Sequence, residues 1–376
     1  MLSRESVDRL RVFGGDEYPV LSVYLGLRPG YGTLAELPTR LKELLANIYN
    51  DAMDLPRPQR MSLRADVDAV YDSGPRVAAD LGRGVAIFRC SGEGLDEYLS
   101  LPRPVRDRAI VDTTPYLRPL DAVFETDQRL LAVVPERRTA SLFRFHMGQT
   151  EELGQITEEE IRKRNWGGFS GYEERRVRSR ADGLAARHYR AVAKRIMELW
   201  KRGLFDLLVV GGQAGHVDGL VTRLPSELTP ALAGTFVVDS RTMTKAIVRD
   251  QAERVADEHL RERDHASATR VLDLARSGGA AAYGIDWVLD SVNKRAVETL
   301  FVQGSRATAG AVCTNCGWIV TEAESSCPSC ASPLRPAPDV LDAMAEAVLA
   351  ASGDVRHLVH ETPLVGYEVA AVLRYR

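Results

Sequence analysis

The stretch Ile161-Arg-Lys-Arg-Asn-Trp-Gly-Gly-Phe-Ser-Gly-Tyr-Glu-Glu-Arg-Arg-Val-Arg-Ser-Arg180 has neither a helical nor a strand period. It holds three glycines and seven arginines or lysines around Trp166, Phe169 and Tyr172, whereas both of its flanks are patterned. Before it, residues 129–134, 139–145 and 149–155 read as three short strands with turns at 135–138 and 147–148. After it, 184–202 carries Leu184, Val192, Ile196, Leu199 and Trp200 at helical spacing, and 206–210 is a continuous apolar run of the buried parallel kind. A helix and a strand at 234–239 follow. A meander followed by helix, strand, helix and strand makes a mixed-sheet α/β domain over 121–243, with a basic loop inserted at 161–182.

Working outward, the first 120 residues predict a second α/β domain. A helix is expected over 3–13, a strand over 19–25 ended by a turn at 28–30, and helices over 34–53 and 62–71. A strand follows at 84–89, and 99–111 mixes prolines with apolar residues as an edge strand or extended loop would. Pro115-Tyr-Leu-Arg-Pro119 then breaks the periodicity and marks the boundary. Residues 244–376 predict a third α/β domain: a helix over 242–277, with 257–265 as a solvated charged face, then a helix from 284 and a strand at 297–302. A helix over 340–351 and strands near 355–359 and 369–374 complete it.

Composition narrows the functions. At 376 residues, 45% apolar and 27% charged, the chain suits two or three globular domains. No apolar run is long enough to span a membrane, and the N-terminus has no apolar signal core, so a cytoplasmic protein is expected. With 49 basic and 52 acidic residues the net charge is −3, so any RNA contact must come from local patches.

Four of the five cysteines form one motif. Cys313 and Cys316 make one CxxC and Cys327 and Cys330 a second, ten residues on. Two such knuckles place four thiolates around Zn²⁺, with Gly317 and Pro328 suited to the turns. Four thiolates leave no open coordination position, so the zinc ribbon expected over 310–334 is structural. A redox dithiol is the lesser alternative.

Gly211-Gly212-Gln213 spells a string associated with peptide release from tRNA. It directly follows an apolar strand, where two glycines serve a tight strand-to-helix turn, and so reads as structural. Neither GxGxxG nor GxxxxGK[ST] occurs, which argues against nucleotide hydrolysis. No HExxH or GxSxG is present, His188 reads as facing water or RNA, and Cys90 has no histidine near it in sequence, so triad hydrolysis lacks support. The basic loop carries the remaining chemistry. Arg162, Lys163, Arg164, Arg175, Arg176, Arg178 and Arg180 can neutralise phosphates, and Trp166, Phe169 and Tyr172 can stack on bases. Glu173 and Glu174 weaken that patch, and a solvated arginine-rich connection is its bland alternative.

A glycine-rich basic loop between a meander and a long helix resembles the middle domain of the archaeal and eukaryotic class-1 translation release factors and of Pelota, which have bacterial relatives. Residues 20–25, 84–88 and 115–119 resemble the N-terminal domain of those relatives, and the third domain, with its cysteine ribbon and terminal Ala-Ala-Val-Leu-Arg-Tyr, that of the archaeal release factors. The resemblance implies a tRNA-shaped binder of the ribosomal A site, monomeric off the ribosome. Its first domain would face the decoding centre, its loop the peptidyl-transferase centre and its third domain a translational GTPase. Release factors carry Gly-Gly-Gln-Ser in the loop; Gly167-Gly168-Phe169-Ser170 stands here, with Phe169 in the place of glutamine. That departure points to hibernation of the Balon type or to rescue of the Pelota type, with a degenerate release loop. The alternative is a peptidyl-tRNA hydrolase in which the Gly167-Gly168 backbone and the Phe169 N–H polarise the ester.

Overall fold

The computed structural model describes residues 2–375 apart from 3, 15–16, 28–35, 52–54, 81, 104, 127, 158–170, 239–242, 304–306 and 322–324. It divides into two compact units: Met1–Asp127 with Asp264–Arg376, and Gln128–Arg263. No described helix is long and apolar enough to cross a membrane.

The first region of the larger unit runs α1 (Arg4–Val12), β1 (Val20–Gly26), α2 (Leu37–Asp51), α3 (Arg57–Asp72), α4 (Gly74–Ala78), β2 (Gly84–Cys90), β3 (Leu95–Leu101), β4 (Arg108–Asp112) and α5 (Arg118–Thr126). Its strands form an antiparallel sheet in the order β3-β2-β1-β4. Because side chains alternate across a strand, Leu21, Val23, Leu25, Val85 and Ile87 share one face. There they meet Leu41 and Leu45 of α2 and Leu63, Val67 and Val70 of α3. Each such fully buried side chain contributes roughly 1.5–3 kcal/mol. The proline-broken stretch expected as an edge strand or loop is two strands: β3 begins ahead of the prolines, and β4 follows them on the far side of β1.

The middle unit runs β5 (Leu130–Pro135), β6 (Thr139–His146), β7 (Gln149–Thr157), α6 (Gly171–Lys201), β8 (Leu207–Gly212), α7 (Ala214–Val221) and β9 (Leu232–Val237), with a 3-10 turn over Ser226–Ala231. The sheet order is β7-β6-β5-β8-β9, antiparallel through the meander and parallel from β5 to β9. Leu131, Val133, Leu208 and Val210 bury one face beneath Val192, Ile196 and Leu199 of α6. Leu130, Ala132, Val134, Leu207 and Val209 bury the other beneath Val248, Ala252 and Ala256, at the start of α8 (Lys245–Arg276). The mixed-sheet α/β reading is therefore borne out. One element is longer than its apolar pattern: α6 opens at Gly171, so 171–182, expected in the loop, are helical. Glu and Arg are good helix formers, and a helix turn that is polar all round leaves no apolar period to detect.

The last region adds β10 (Ala281–Tyr283), α9 (Ile285–Asn293), β11 (Val297–Val302), β12 (Gly310–Cys313), β13 (Ile319–Val320), β14 (Leu334–Ala337), α10 (Val340–Ala350), β15 (Asp354–His357) and β16 (Val369–Leu373). One sheet has the order β10-β16-β11-β15, with only β11 and β15 parallel. Val288, Leu300, Met344 and Val348 fill one side of it, and Val271, Leu272, Phe301 and Leu364 the other. A separate sheet, β13-β12-β14, frames the cysteines. Residues 257–265 are not wholly solvated: Leu260 is buried, and the buried Asp264 carboxylate sits 3.1 Å from Nδ1 of His360. The helical face of these positions outweighs their charge.

Candidate functional site

The cysteine cluster follows from local backbone geometry. Strand β12 ends at Cys313, the chain turns, and Gly317, at φ 74°, takes a left-handed conformation that lets it return to β13. The amides of Asn315 and Cys316 donate to Cys313 Sγ at 3.4 and 3.5 Å, fixing the first knuckle. In the second, the Ala331 amide donates to the Cys327 carbonyl at 2.8 Å. All four Sγ atoms lie within 4.8 Å of one another. The pairs 313–330, 316–327 and 316–330 stand 3.5, 3.6 and 3.4 Å apart. Tetrahedral zinc–thiolate bonds of about 2.3 Å require sulfurs about 3.8 Å apart. Cys313, Cys316, Cys327 and Cys330 are thus close enough together to hold a metal ion.

The Gly-Gly-Gln string at 211–213 is built into the middle sheet. A Cβ on Gly211 would lie 2.0 Å from the Phe236 ring, so only glycine admits that ring. Gly212 has φ 143°, and Gln213 is the exposed N-cap of α7. Beside them, at the carboxyl ends of parallel β5 and β8, lies a cavity of about 230 Å³ lined by Glu136, Arg137, Gln213 and His216. His216 Nδ1 is 2.8 Å from the Tyr189 hydroxyl, and burial, with Arg137 assisting, pushes the imidazole below its ordinary value. The string serves packing, as its place after an apolar strand indicates.

Among the loop residues, Arg162, Lys163, Arg164, Trp166, Gly167, Gly168, Phe169 and Ser170 lie outside the described residues. Tyr172, Arg175, Arg176, Arg178 and Arg180 belong to the first turns of α6. His188, expected to face water or RNA, is fully buried, and neither ring nitrogen has a hydrogen-bond partner among the described residues. It lies one helical turn before the buried Val192 and so points inward. Cys90, at the end of β2, is buried, with Sγ 3.7 Å from the Tyr18 carbonyl, and burial pushes its thiol up. A thiol in that setting is inert.

Sequence reasoning missed a second constellation, in the larger unit. Residues 115–118 are buried. Tyr116 donates its hydroxyl to Asp339 at 2.7 Å and accepts from Arg108 at 2.6 Å and Arg118 at 2.7 Å. Arg118 Nη2 also reaches Asp339 Oδ2 at 2.6 Å. Asp339 caps α10, its side chain accepting from the Leu341 amide at 3.2 Å. Burial, and then the charge of Glu346, pushes the neighbouring Asp342 carboxyl up to about 7. Next to this network is a cavity of about 120 Å³ lined by Arg103, Arg106, Arg108, Arg118 and His357. These residues lie far apart in sequence, so no motif could reveal them.

With the geometry in place, comparison with known proteins shows what the middle of the chain is similar to. Residues 115–270 match the profile of bacterial archaeo-eukaryotic release factor family 10. Among solved structures the protein is similar to an archaeal translation termination factor, aRF1, at 18% identity, covering 99% of this chain and 96% of that one with a TM-score of 0.26. It is also similar to Archaeoglobus fulgidus Pelota, at 16% identity over 75% of this chain and 78% of that one, with a TM-score of 0.36. A ribosome-bound archaeal Pelota matches at 16% identity over 75% and 73% of the two chains, with a TM-score of 0.42. Among curated proteins, none matches the chain.

Proposed function

We propose that the protein is a ribosome-associated translation factor that occupies the A site in place of tRNA, in hibernation or rescue, without releasing peptide. The observation that carries this reading is a substitution inside a family match. Residues 115–270 match a release factor family, yet Phe169 follows Gly167-Gly168 where a releasing factor needs glutamine. A phenyl ring cannot hydrogen-bond the attacking water. The Gly-Gly-Gln at 211–213 offers no substitute, because Gly211 packs against Phe236 and Gly212 against Pro135 and Val134 in the sheet.

On this reading Arg162, Lys163, Arg164, Arg175, Arg176, Arg178 and Arg180 contact ribosomal RNA, with Trp166, Phe169 and Tyr172 stacking on exposed bases. The first region faces the decoding centre, and the last offers a surface to a translational GTPase. Zinc in the four-cysteine cluster holds β12, β13 and β14 together. The protein acts in the cytoplasm and is monomeric off the ribosome.

The retained Gly167-Gly168 and Ser170 favour one second reading, peptidyl-tRNA hydrolysis by the loop backbone. A release assay on ribosomes carrying peptidyl-tRNA separates the two. No peptide release by the wild-type protein, on ribosomes it binds, supports occupancy. Release that falls at least about tenfold in Gly168→Ala supports hydrolysis.

A further inference from the structure

The arginine-lined cavity of the larger unit is a site that A-site occupancy does not call for. The geometry points to a binding site for the phosphoryl group of a small phosphate ester, formed by Arg103, Arg106, Arg108 and Arg118 with His357. Four guanidinium groups and an imidazole line about 120 Å³, and no carboxylate is among the lining residues that are described. Arg118 is 4% exposed and already holds Tyr116 through Nε and Asp339 through Nη2. Its Nη1, nonetheless, is buried with no hydrogen-bond partner among the described residues. A buried donor left unmatched costs about 1–3 kcal/mol, and an anion oxygen in the cavity would remove that cost.

Several properties select the ligand. Converging guanidinium forks match the oxygens of a multiply charged phosphoryl group, while one arginine suffices for a monocarboxylate. The volume is well below the roughly 300–1,000 Å³ of pockets that enclose a whole drug-sized ligand. Only a head group enters. Val105, Val302 and Leu358 form an apolar wall beside the charges, and exposed Arg106 and Val359 border the opening. The rest of the ester therefore projects past them toward solvent. Duplex RNA is a poor fit, since its backbone phosphates cannot reach a group as buried as Arg118 Nη1.

The test is calorimetric titration of the full-length protein at constant ionic strength with inorganic phosphate, adenosine monophosphate, adenosine and acetate. Phosphate and the monophosphate are expected to bind, and adenosine and acetate are not. Affinity should fall at least about tenfold in Arg103→Ala/Arg106→Ala, and Arg106→Glu should abolish it. Arg106 is exposed at the rim, so its substitution should leave the melting temperature nearly unchanged. Tighter binding of the monophosphate than of phosphate identifies an ester, and the reverse identifies the free anion; either sustains a phosphoryl site. Absence of phosphate binding up to about 10 mM, equal binding of acetate, or undiminished binding by folded Arg106→Glu would each overturn it.

Discussion

The cysteine ribbon and the arginine cavity are two places where polar side chains converge in the larger unit, and they are assembled in opposite ways. The ribbon takes all its ligands from one short stretch, with CxxC turns and Gly317 setting each sulfur locally. The cavity draws arginines from 103–118 and His357 from the end of β15, and it exists only once β4, α5, β11 and β15 have packed. A cluster built by local turns should be lost through its ligands alone. One built by packing should fail whenever the junction beneath it fails.

The largest effect tests the ribbon. Cys327→Ser should abolish bound metal and forfeit metal-binding free energy on the order of 10 kcal/mol. Elemental analysis of the purified protein, with hydrogen exchange over 310–337, measures both. The first region should keep its protection, because its core shares no residue with the ribbon, whereas Ile319 of β13 belongs to the core of the last region. Retained stoichiometric metal would contradict the four-thiolate assignment.

Next comes the junction. Asp339→Ala strands the buried Arg118 charge and should lower global stability by about 3–5 kcal/mol, read from denaturant unfolding. Tyr116→Phe removes one hydroxyl and should cost about 1–3 kcal/mol. If Asp339→Ala were nearly neutral, the cavity would not depend on the junction and the contrast with the ribbon would fail.

Packing in the middle unit supplies a smaller effect. Gly211→Ala forces a methyl into the Phe236 ring and should cost about 1–3 kcal/mol, whereas exposed Gln213→Ala should stay within about 0.5 kcal/mol. A further effect concerns pH. Asp342 is held up at about 7, against an unfolded value near 3.8, so the native state keeps a proton that the unfolded chain releases. Stability from this group is present below about pH 4 and is lost as pH rises through about 7. Asp342→Asn should flatten that decline in melting temperature; an unchanged profile would remove Asp342 as its source.

The same contrast explains what could be read from the chain. The meander, the apolar strand at 207–210 and the cysteine spacing are local patterns, and the structure contains them as expected. The first turns of α6 were hidden because no apolar residue repeats among its arginines and glutamates. His188 was misread although its phase with Val192 was visible, because a lone histidine suggests solvent. Tyr116, Arg118 and Asp339 were illegible for a different reason: a buried network between distant segments leaves no local spacing. Pro115–Pro119 breaks the local periodicity, so its spacing gives no sign that Tyr116 and Arg118 pair with Asp339.

The central claim is ribosome occupancy through the basic loop. It is tested most directly by co-sedimentation of the full-length protein with ribosomes across growth and stress conditions, alongside Arg175→Glu/Arg176→Glu. The account predicts binding by the wild type that falls at least about tenfold on charge reversal and weakens steeply with salt. Absence of ribosome binding under every condition, or equal binding by the reversed variant, would contradict it.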